Sequence, residues 1–253
     1  MDGTSGITQC HIDPNGTTVY RFTHDKAGTF WWHSHHSTQY AYGLRGPLVV
    51  HAPANDRQSW EEDIAEEFIV QLADQYHDAP VGAPIWDSMI VNNRGRYNCT
   101  AAASHSFTDC TDDQPLTKFL FQTGNKYLLR LINVAALSPV MFSIDDPRVP
   151  GRSCRHASEG VWFHGFNYEG LAIVQYEEDD DTEPTSEQIA TVTTVTEFEF
   201  TPLVSTELPS TPSDRVILAF DLHFGLGYFS MTVATTATSS CRTSHRFLLS
   251  PEV

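Results

Sequence analysis

The chain has 253 residues, of which 40% are hydrophobic and 19% charged, a balance typical of a globular protein with a sizeable core. Its 15 Lys and Arg stand against 32 Asp and Glu, and the net charge of −17 argues against a nucleic-acid partner because phosphate backbones are repelled. No apolar run approaches the roughly 18–20 residues that span a bilayer, so no membrane span is expected.

Short β-branched and aromatic segments, bounded by Gly, Pro and Asn, recur along the chain and predict strands. In chain order they are TTVYRFT, GTFWWHSH, PLVVHAP, EEFIVQLADQY, SMIVNN, KFLFQT, KYLLRLINVA and PVMFSID. Residues 60–67 are the one place where a helical turn or two is expected. The pattern predicts an all-β protein made of β-sandwiches.

Two changes of composition predict domain boundaries. The first is PANDR at residues 53–57, which separates a region 1–57 from a region 58–176. The second follows residue 176, where seven of eleven residues are acidic and open a linker or loop over 177–214. Strand character returns at 215–253, although residues 146–166 and the last residues from Thr232 show no clear period, and the second domain is expected to be disrupted near 146–161.

Five cysteines are present, and two of them lie close together in the polar stretch NCTAAASHSFTDC. We predict a local disulfide between Cys99 and Cys110, the alternative being two free thiols in a loop. N-x-[ST] triplets at Asn15 and Asn98 are candidate glycosylation sites. Together these features favour an oxidising, secretory route and an extracellular protein, although the opening MDGTSGITQ is not a signal peptide.

The stretch GTFWWHSHHSTQYAYGLRG carries three histidines. On a strand, His33 and His35 project from the same side, with Cβ atoms roughly 7 Å apart, whereas His36 faces the other way. Two imidazoles on one face can bind Cu, Zn, Ni or Fe; a hydrogen-bonded structural pair is the alternative. His36 is interpreted as a surface residue or one lying behind the ligands, and the neighbouring aromatic residues at 30–32 as sandwich packing.

The same stretch resembles the second copper motif of the multicopper oxidases, the laccase-like family, which reads G-T-[FY]-W-[YW]-H-S-H, then Q and G-[LM]-x-G. The matching positions are Gly28, Thr29, Trp31, His33, Ser34, His35, Gln39, Gly43, Leu44 and Gly46. DGTSGITQC, YHD, IVNNRGRYNC, YLLRLINVAALSPVMFSID and RVILAFDLHFG extend the likeness over about two thirds of the chain.

That resemblance implies cupredoxin-like Greek-key β-sandwiches, here incomplete: most of a first domain, a second, and the start of a third. It implies that His33 and His35 are type 3 copper ligands, one to each copper of a coupled pair. It also implies an oxidoreductase that oxidises phenols or related small reducing substrates and reduces dioxygen to water.

The chain departs from the family pattern in its ligand count. The motifs H-W-H-G, H-P-x-H-x-H-G-H and H-C-H-x-x-x-H are absent, so the type 1 and type 2 copper ligands are missing and no activity is expected of these residues alone. The alternative hypothesis is a non-catalytic remnant that binds at most one copper or zinc through His33 and His35. We further expect the coding sequence upstream of Met1 to encode an H-x-H-G motif and a signal peptide, which would make the chain a fragment.

Overall fold

In the computed structural model, the regular secondary structure of the described residues is almost entirely β-strand, which confirms the all-β prediction. It describes residues 3–77, 86–102, 108–144, 153–159, 167–176, 183, 199–201, 207, 217–225, 228–236 and 245–248. The strands are β1 Gly28–His33, β2 Arg45–Val50, β3 Ile64–Gln75, β4 Ser88–Val91, β5 Thr117–Leu120, β6 Lys126–Asn133, β7 Met141–Ile144, β8 Ser153–Glu159, β9 Asn167–Gln175, β10 Ile217–Gly225, β11 Tyr228–Thr236 and β12 His245–Leu248. Helical structure in the described residues includes one α-helical turn, α1 Cys99–Ala102, and 3-10 turns at Ala54–Asp56 and Ser59–Glu61.

The described residues form two units, one up to residue 183 and one after residue 192. In the first unit β1 and β2 form an antiparallel ribbon, β4-β3-β6 a three-stranded sheet, and β5-β9-β8-β7 a four-stranded sheet. The β3–β6 and β5–β9 pairs are parallel, and the paired strands are distant in sequence. Parallel pairing requires crossover connections between the strands. The second unit is the antiparallel sheet β10-β11-β12.

The core of the first unit follows the two-residue period of β3. Val70 and Leu72 of β3 are buried with Phe119 of β5 and Ala172 of β9, so the two larger sheets pack face to face. Ala73 points to the opposite face of β3, into a second buried cluster against which Trp31 of β1 packs. Alternation along one strand therefore supplies both faces of the central sheet.

The β1–β2 ribbon lies on this second face. Trp31 and Ile69 pack against the buried cluster of Ala73, Ile90, Ile132 and Val134. Phe30 and Trp32, whose side chains alternate with Trp31, are exposed. The prediction that all three aromatic residues pack inside the sandwich is therefore wrong for Phe30 and Trp32.

The strand predicted at TTVYRFT is also wrong, whereas the helical turn expected near residues 60–67 is present as a 3-10 turn. Residues 17–23, TTVYRFT, form no strand, and their side chains are exposed. β-branched residues favour an extended chain, but a strand needs a hydrogen-bonded neighbour, and none of the described strands pairs with this segment. The helix suggested at residues 60–67 is a single 3-10 turn, closed by reciprocal hydrogen bonds between Gln58 and Glu61, and β3 begins at Ile64.

The aperiodic stretch at 146–166 contains a strand that the sequence did not predict. β8 pairs with β7 on one edge and with β9 on the other. Pairing on both edges uses backbone groups, so it does not require the alternating side chains from which a strand is recognised in sequence. The final stretch likewise contains the end of β11 and β12. Most of the predicted acidic linker 177–214 lies outside the described residues.

Candidate metal centre

The candidate ligands lie where β1 ends and a compact loop begins. β1 stops at His33, so His35 is outside the strand, and the alternation argument that placed the two histidines on one face used a strand that is too long. The loop instead closes through the Ser34 amide, which donates to the Leu44 carbonyl at 3.0 Å. Consecutive turns over residues 36–44 fill the loop.

This loop brings the two predicted ligands together. The ring centroids of His33 and His35 are 4.4 Å apart, with 34° between their planes. His33 is half-buried and His35 is exposed. Imidazole nitrogens suit Cu, Zn, Ni and Fe, and two adjacent rings with one exposed side fit either one ion or two neighbouring ions.

The protonation pattern of His33 follows from its backbone partner. Its Nδ1 lies 3.0 Å from the Ser34 carbonyl oxygen. A carbonyl oxygen only accepts hydrogen bonds, so Nδ1 carries the hydrogen and Nε2 keeps the lone pair that a metal needs. The Trp31 ring is stacked on the imidazole at 4.3 Å, and the Tyr40 ring lies 5.5 Å away. These contacts fix the ring orientation, as partners of metal-binding histidines do.

The polar and glycine positions of the motif hold the loop in shape. The Ser34 hydroxyl donates to the Gln39 side-chain oxygen at 2.7 Å and accepts from the His36 amide at 3.1 Å. Gly43 has φ of +101°, a conformation that side chains strain. A Cβ on Gly46 would lie 2.6 Å from the indole nitrogen of Trp32. Gly43 is therefore favoured by its backbone conformation and Gly46 by the close approach of the Trp32 side chain.

The histidine loop packs against a buried network of polar side chains. Ala41 of the loop packs in one cluster with Tyr76, Trp86 and Met89. The Tyr76 hydroxyl donates to the fully buried Asp74 carboxylate at 3.0 Å. Burial, and next the negative charge of Asp74, raise the pKa of Tyr76, so the phenol remains a hydrogen-bond donor.

Asp74 also ties the loop between β6 and β7 to the central sheet. Its two oxygens accept hydrogen bonds from the backbone amides of Ala136, Leu137 and Ser138 at 2.8, 2.9 and 3.1 Å. The buried Arg45 donates to the carbonyl oxygens of Tyr40 at 2.9 Å and of Val134 at 3.1 Å.

The charge of Arg45 is held where solvent is largely excluded. Burial lowers the pKa of Arg45, and the negative charge of Asp74 opposes that effect. Arg45 stands at the unspecified position of G-[LM]-x-G in the family motif and Asp74 lies outside the motif, and sequence analysis singled out neither. A charged residue inside an apolar strand, as in QLADQY, is the one sequence feature that marks Asp74.

A second polar contact fixes the start of β1. Arg130 of β6 makes two hydrogen bonds of 2.8 Å to the carboxylate of Glu67 and donates to the Thr29 hydroxyl at 2.9 Å. The hydrogen bonds from Arg130 hold the pKa of Glu67 below its usual value, although burial opposes them. The motif threonine therefore positions the ribbon that carries His33.

The other predicted site residues are two cysteines and two asparagines. Cys99 and Cys110 form a disulfide with Cα atoms 5.6 Å apart. Asn15 and Asn98 are exposed. Cys10 is an exposed free thiol. Within the part of the chain that the structure describes, no group of three or more His, Cys, Asp or Glu side chains is placed to hold a metal, and no helix is long and apolar enough to cross a membrane.

Comparison with known proteins identifies the family of the chain. Family profiles described as multicopper oxidase match residues 1–55 and 58–149, together more than half of the chain. The chain belongs to the multicopper oxidase family. It is 37% identical to dihydrogeodin oxidase of Aspergillus terreus over 155 residues, and 28% identical to laccase-5 of Trametes villosa over 268 aligned positions that cover 90% of the chain. An iron transport multicopper oxidase of Epichloe festucae is 36% identical over 138 residues.

The structural comparison shows the same fold. The crystal structure of Fet3p, a multicopper oxidase that functions in iron import, superposes with a TM-score of 0.65 over 91% of the chain at 20% identity. The predicted cupredoxin-like fold is thereby confirmed. The chain of this multicopper oxidase covers only part of each of these proteins: 24% of the dihydrogeodin oxidase, 49% of the laccase, 21% of the iron transport oxidase and 50% of Fet3p.

Proposed function

We propose that the chain supplies the His33 and His35 copper ligands of a laccase-like oxidase that oxidises phenols or related small molecules and reduces dioxygen to water. The observation that carries the proposal is the pair of imidazoles 4.4 Å apart, in a chain of the multicopper oxidase family. By resemblance to the family motif, each histidine binds one copper of a coupled pair. Laccases at 28% identity over 90% of the chain support the laccase-like assignment.

The residues of this chain would hold and shield the metal. Copper, when bound, supplies the one-electron chemistry through which dioxygen is reduced. The Ser34 carbonyl keeps the proton of His33 on Nδ1, which leaves Nε2 as the ligand atom. Trp31 covers a face of the same ring and keeps water from it. The Ser34–Gln39 hydrogen bond holds the loop that positions His35.

The whole reaction needs ligands beyond this pair. The 253 residues contain neither H-P-x-H-x-H-G-H nor H-C-H-x-x-x-H. Two histidines leave most coordination positions of a copper cluster unfilled, so we expect no oxygen-dependent phenol oxidation and no blue type 1 absorption from the 253 residues alone.

Secretion is the proposed location. A disulfide joins Cys99 and Cys110, and disulfides persist in oxidising compartments. Both candidate glycosylation residues, Asn15 and Asn98, are exposed and accessible to modification. Mass spectrometry of the protein recovered from a secreting fungal host tests this directly. Unmodified asparagines and two free thiols would contradict it.

A motif transplant tests the copper function. Residues 28–46 would replace the corresponding segment of Trametes villosa laccase-5. We expect the chimera to keep its copper content and its oxygen-dependent oxidation of phenols, and His33→Ala with His35→Ala to remove both. His24→Ala in the 253-residue chain is the matched control, since the ring of this exposed histidine contacts the aromatic rings of Phe22 and Phe30.

Two outcomes of the transplant are informative. A chimera that folds and keeps its copper but loses activity would refute the catalytic proposal. A chimera that folds but loses copper would show that His33 and His35 in this segment do not form a competent ligand pair. In the 253-residue chain, the double variant is expected to lose one bound copper relative to the His24→Ala control.

A further inference from the structure

A second pair of histidines lies beside the first and has no assigned role. The rings of His11 and His36 are 5.0 Å apart, centroid to centroid, with their planes at 90°. Both residues are exposed. They come from separate segments, so the contact is produced by folding rather than by neighbouring positions in the sequence.

The separation of these rings fits chelation of one ion. With a metal about 2.0–2.1 Å from each ring nitrogen, the ion lies about 3.2 Å from each ring centroid. Ligand angles of about 90–110° then place the centroids about 4.5–5.2 Å apart, and the observed 5.0 Å falls in this range. Because both side chains are exposed, each ring can turn about its own bond to direct a nitrogen at the ion.

The backbone at His36 is already fixed for this purpose. Its amide donates to the Ser34 hydroxyl at 3.1 Å, and its carbonyl accepts from the Gln39 amide at 3.2 Å. A ligand on an ordered turn loses less entropy on binding than a ligand on a free segment. The net charge of −17 also raises the concentration of cations near the surface.

We propose that His11 and His36 form a surface copper site, in which two imidazoles chelate one Cu²⁺ ion and water completes the coordination. Imidazole is a favoured Cu²⁺ ligand, and Cu²⁺ is the strongest binder of the divalent first-row series. The site is separate from His33 and His35 and does not depend on the proposed oxidase function.

Copper titration of the full chain tests the proposal. The parent protein carries His33→Ala and His35→Ala, which removes the other pair, and Cys10→Ser, which prevents oxidation of the exposed thiol by copper. We expect this parent to bind one Cu²⁺ against a competing chelator, with an electron paramagnetic resonance spectrum showing two coordinated nitrogens. Adding His11→Gln or His36→Gln should weaken binding at least tenfold.

The matched control is His24→Gln, because His24 is an exposed histidine whose ring contacts the rings of Phe22 and Phe30. Binding that is unchanged by His11→Gln and His36→Gln, or that His24→Gln weakens equally, would overturn the proposal. Failure of the oxidase proposal would look different, because it concerns the pair already removed from this parent.

A footprinting measurement on the unsubstituted chain avoids any effect of substitution on folding. Diethylpyrocarbonate modifies accessible histidines, and Zn²⁺, which binds the same nitrogens without redox chemistry, should protect His11 and His36 from it. His24 should remain reactive. Equal modification of His11 and His36 with and without Zn²⁺ would contradict a shared site.

Discussion

Asp74 is predicted to be the residue on which the support of the histidine loop most depends. It is fully buried, and its oxygens accept three backbone amides at 2.8–3.1 Å and the Tyr76 hydroxyl at 3.0 Å. In Asp74→Asn one oxygen is replaced by an amide nitrogen that itself donates. If the nitrogen takes the place of Oδ1, the Ala136 amide faces another donor in a site without solvent; if it takes the place of Oδ2, the amides of Leu137 and Ser138 do.

The size of the effect follows from these contacts. Hydrogen bonds to a charged group contribute about 1.5–3 kcal/mol each, and leaving a buried donor unsatisfied costs about 1–3 kcal/mol. In the better orientation the remaining oxygen keeps the contacts of Oδ2 with Leu137, Ser138 and Tyr76, now without the carboxylate charge, and the Ala136 amide is left unsatisfied. We therefore expect Asp74→Asn to lower the free energy of unfolding by about 2–4 kcal/mol. Loss of the carboxylate also leaves the buried charge of Arg45 without the opposing charge that stabilises it.

Urea denaturation followed by tryptophan fluorescence measures this change. All five tryptophans lie in the sequence range of the first unit. The control is Asp112→Asn, whose carboxylate accepts one backbone amide, from Cys99, at an exposed position. That substitution should leave the urea midpoint nearly unchanged. Equal midpoint shifts for the two variants would refute the reasoning that burial makes the Asp74 contacts strong.

Three further predictions concern the surroundings of the site. Arg130→Met should lower the free energy of unfolding by about 1–2 kcal/mol near neutral pH. Because the pKa of Glu67 is lowered in the folded state, this loss is full above pH 4.5 and disappears as the pH falls through the folded-state pKa. Urea titrations at several pH values would show the change. Gly46→Ala should displace the indole ring of Trp32 and change the near-ultraviolet circular dichroism spectrum. An unchanged spectrum would contradict the close approach of Trp32 to Gly46. Replacing both Cys99 and Cys110 by Ser should destabilise the first unit by about 3 kcal/mol, seen as a lower urea midpoint, because the loop that the disulfide closes becomes free in the unfolded chain.

The strands that sequence analysis predicted correctly are those whose side-chain alternation matches a buried face. KYLLRLINVA became β6, and EEFIVQLADQY became most of β3, because apolar residues on these segments meet the two cores. TTVYRFT has the same kind of residues but no strand beside it among the described residues, and it remains exposed. β8 shows the converse, since pairing on both edges makes a strand of a segment with no period.

At the site, as among the strands, the sequence pattern predicts some features and tertiary structure determines the others. The motif identified His33 and His35 from spacing, although the strand that was thought to align them ends before His35. Sequence gave no reason to connect Asp74 with the histidine loop, because that link passes through Tyr76 and Ala41 and exists only after the sheets pack. The contact of His11 with His36 is equally a product of tertiary structure.

Crystallography of the copper-loaded chain at the copper absorption edge tests the central claim most directly. The account predicts an anomalous difference peak about 2.0–2.1 Å from Nε2 of His33, on the side that faces His35, with Nδ1 still bonded to the Ser34 carbonyl. The His33→Ala, His35→Ala double variant should lose that peak. A peak bound to Nδ1 of His33, or copper that leaves both His33 and His35 untouched, would contradict the account.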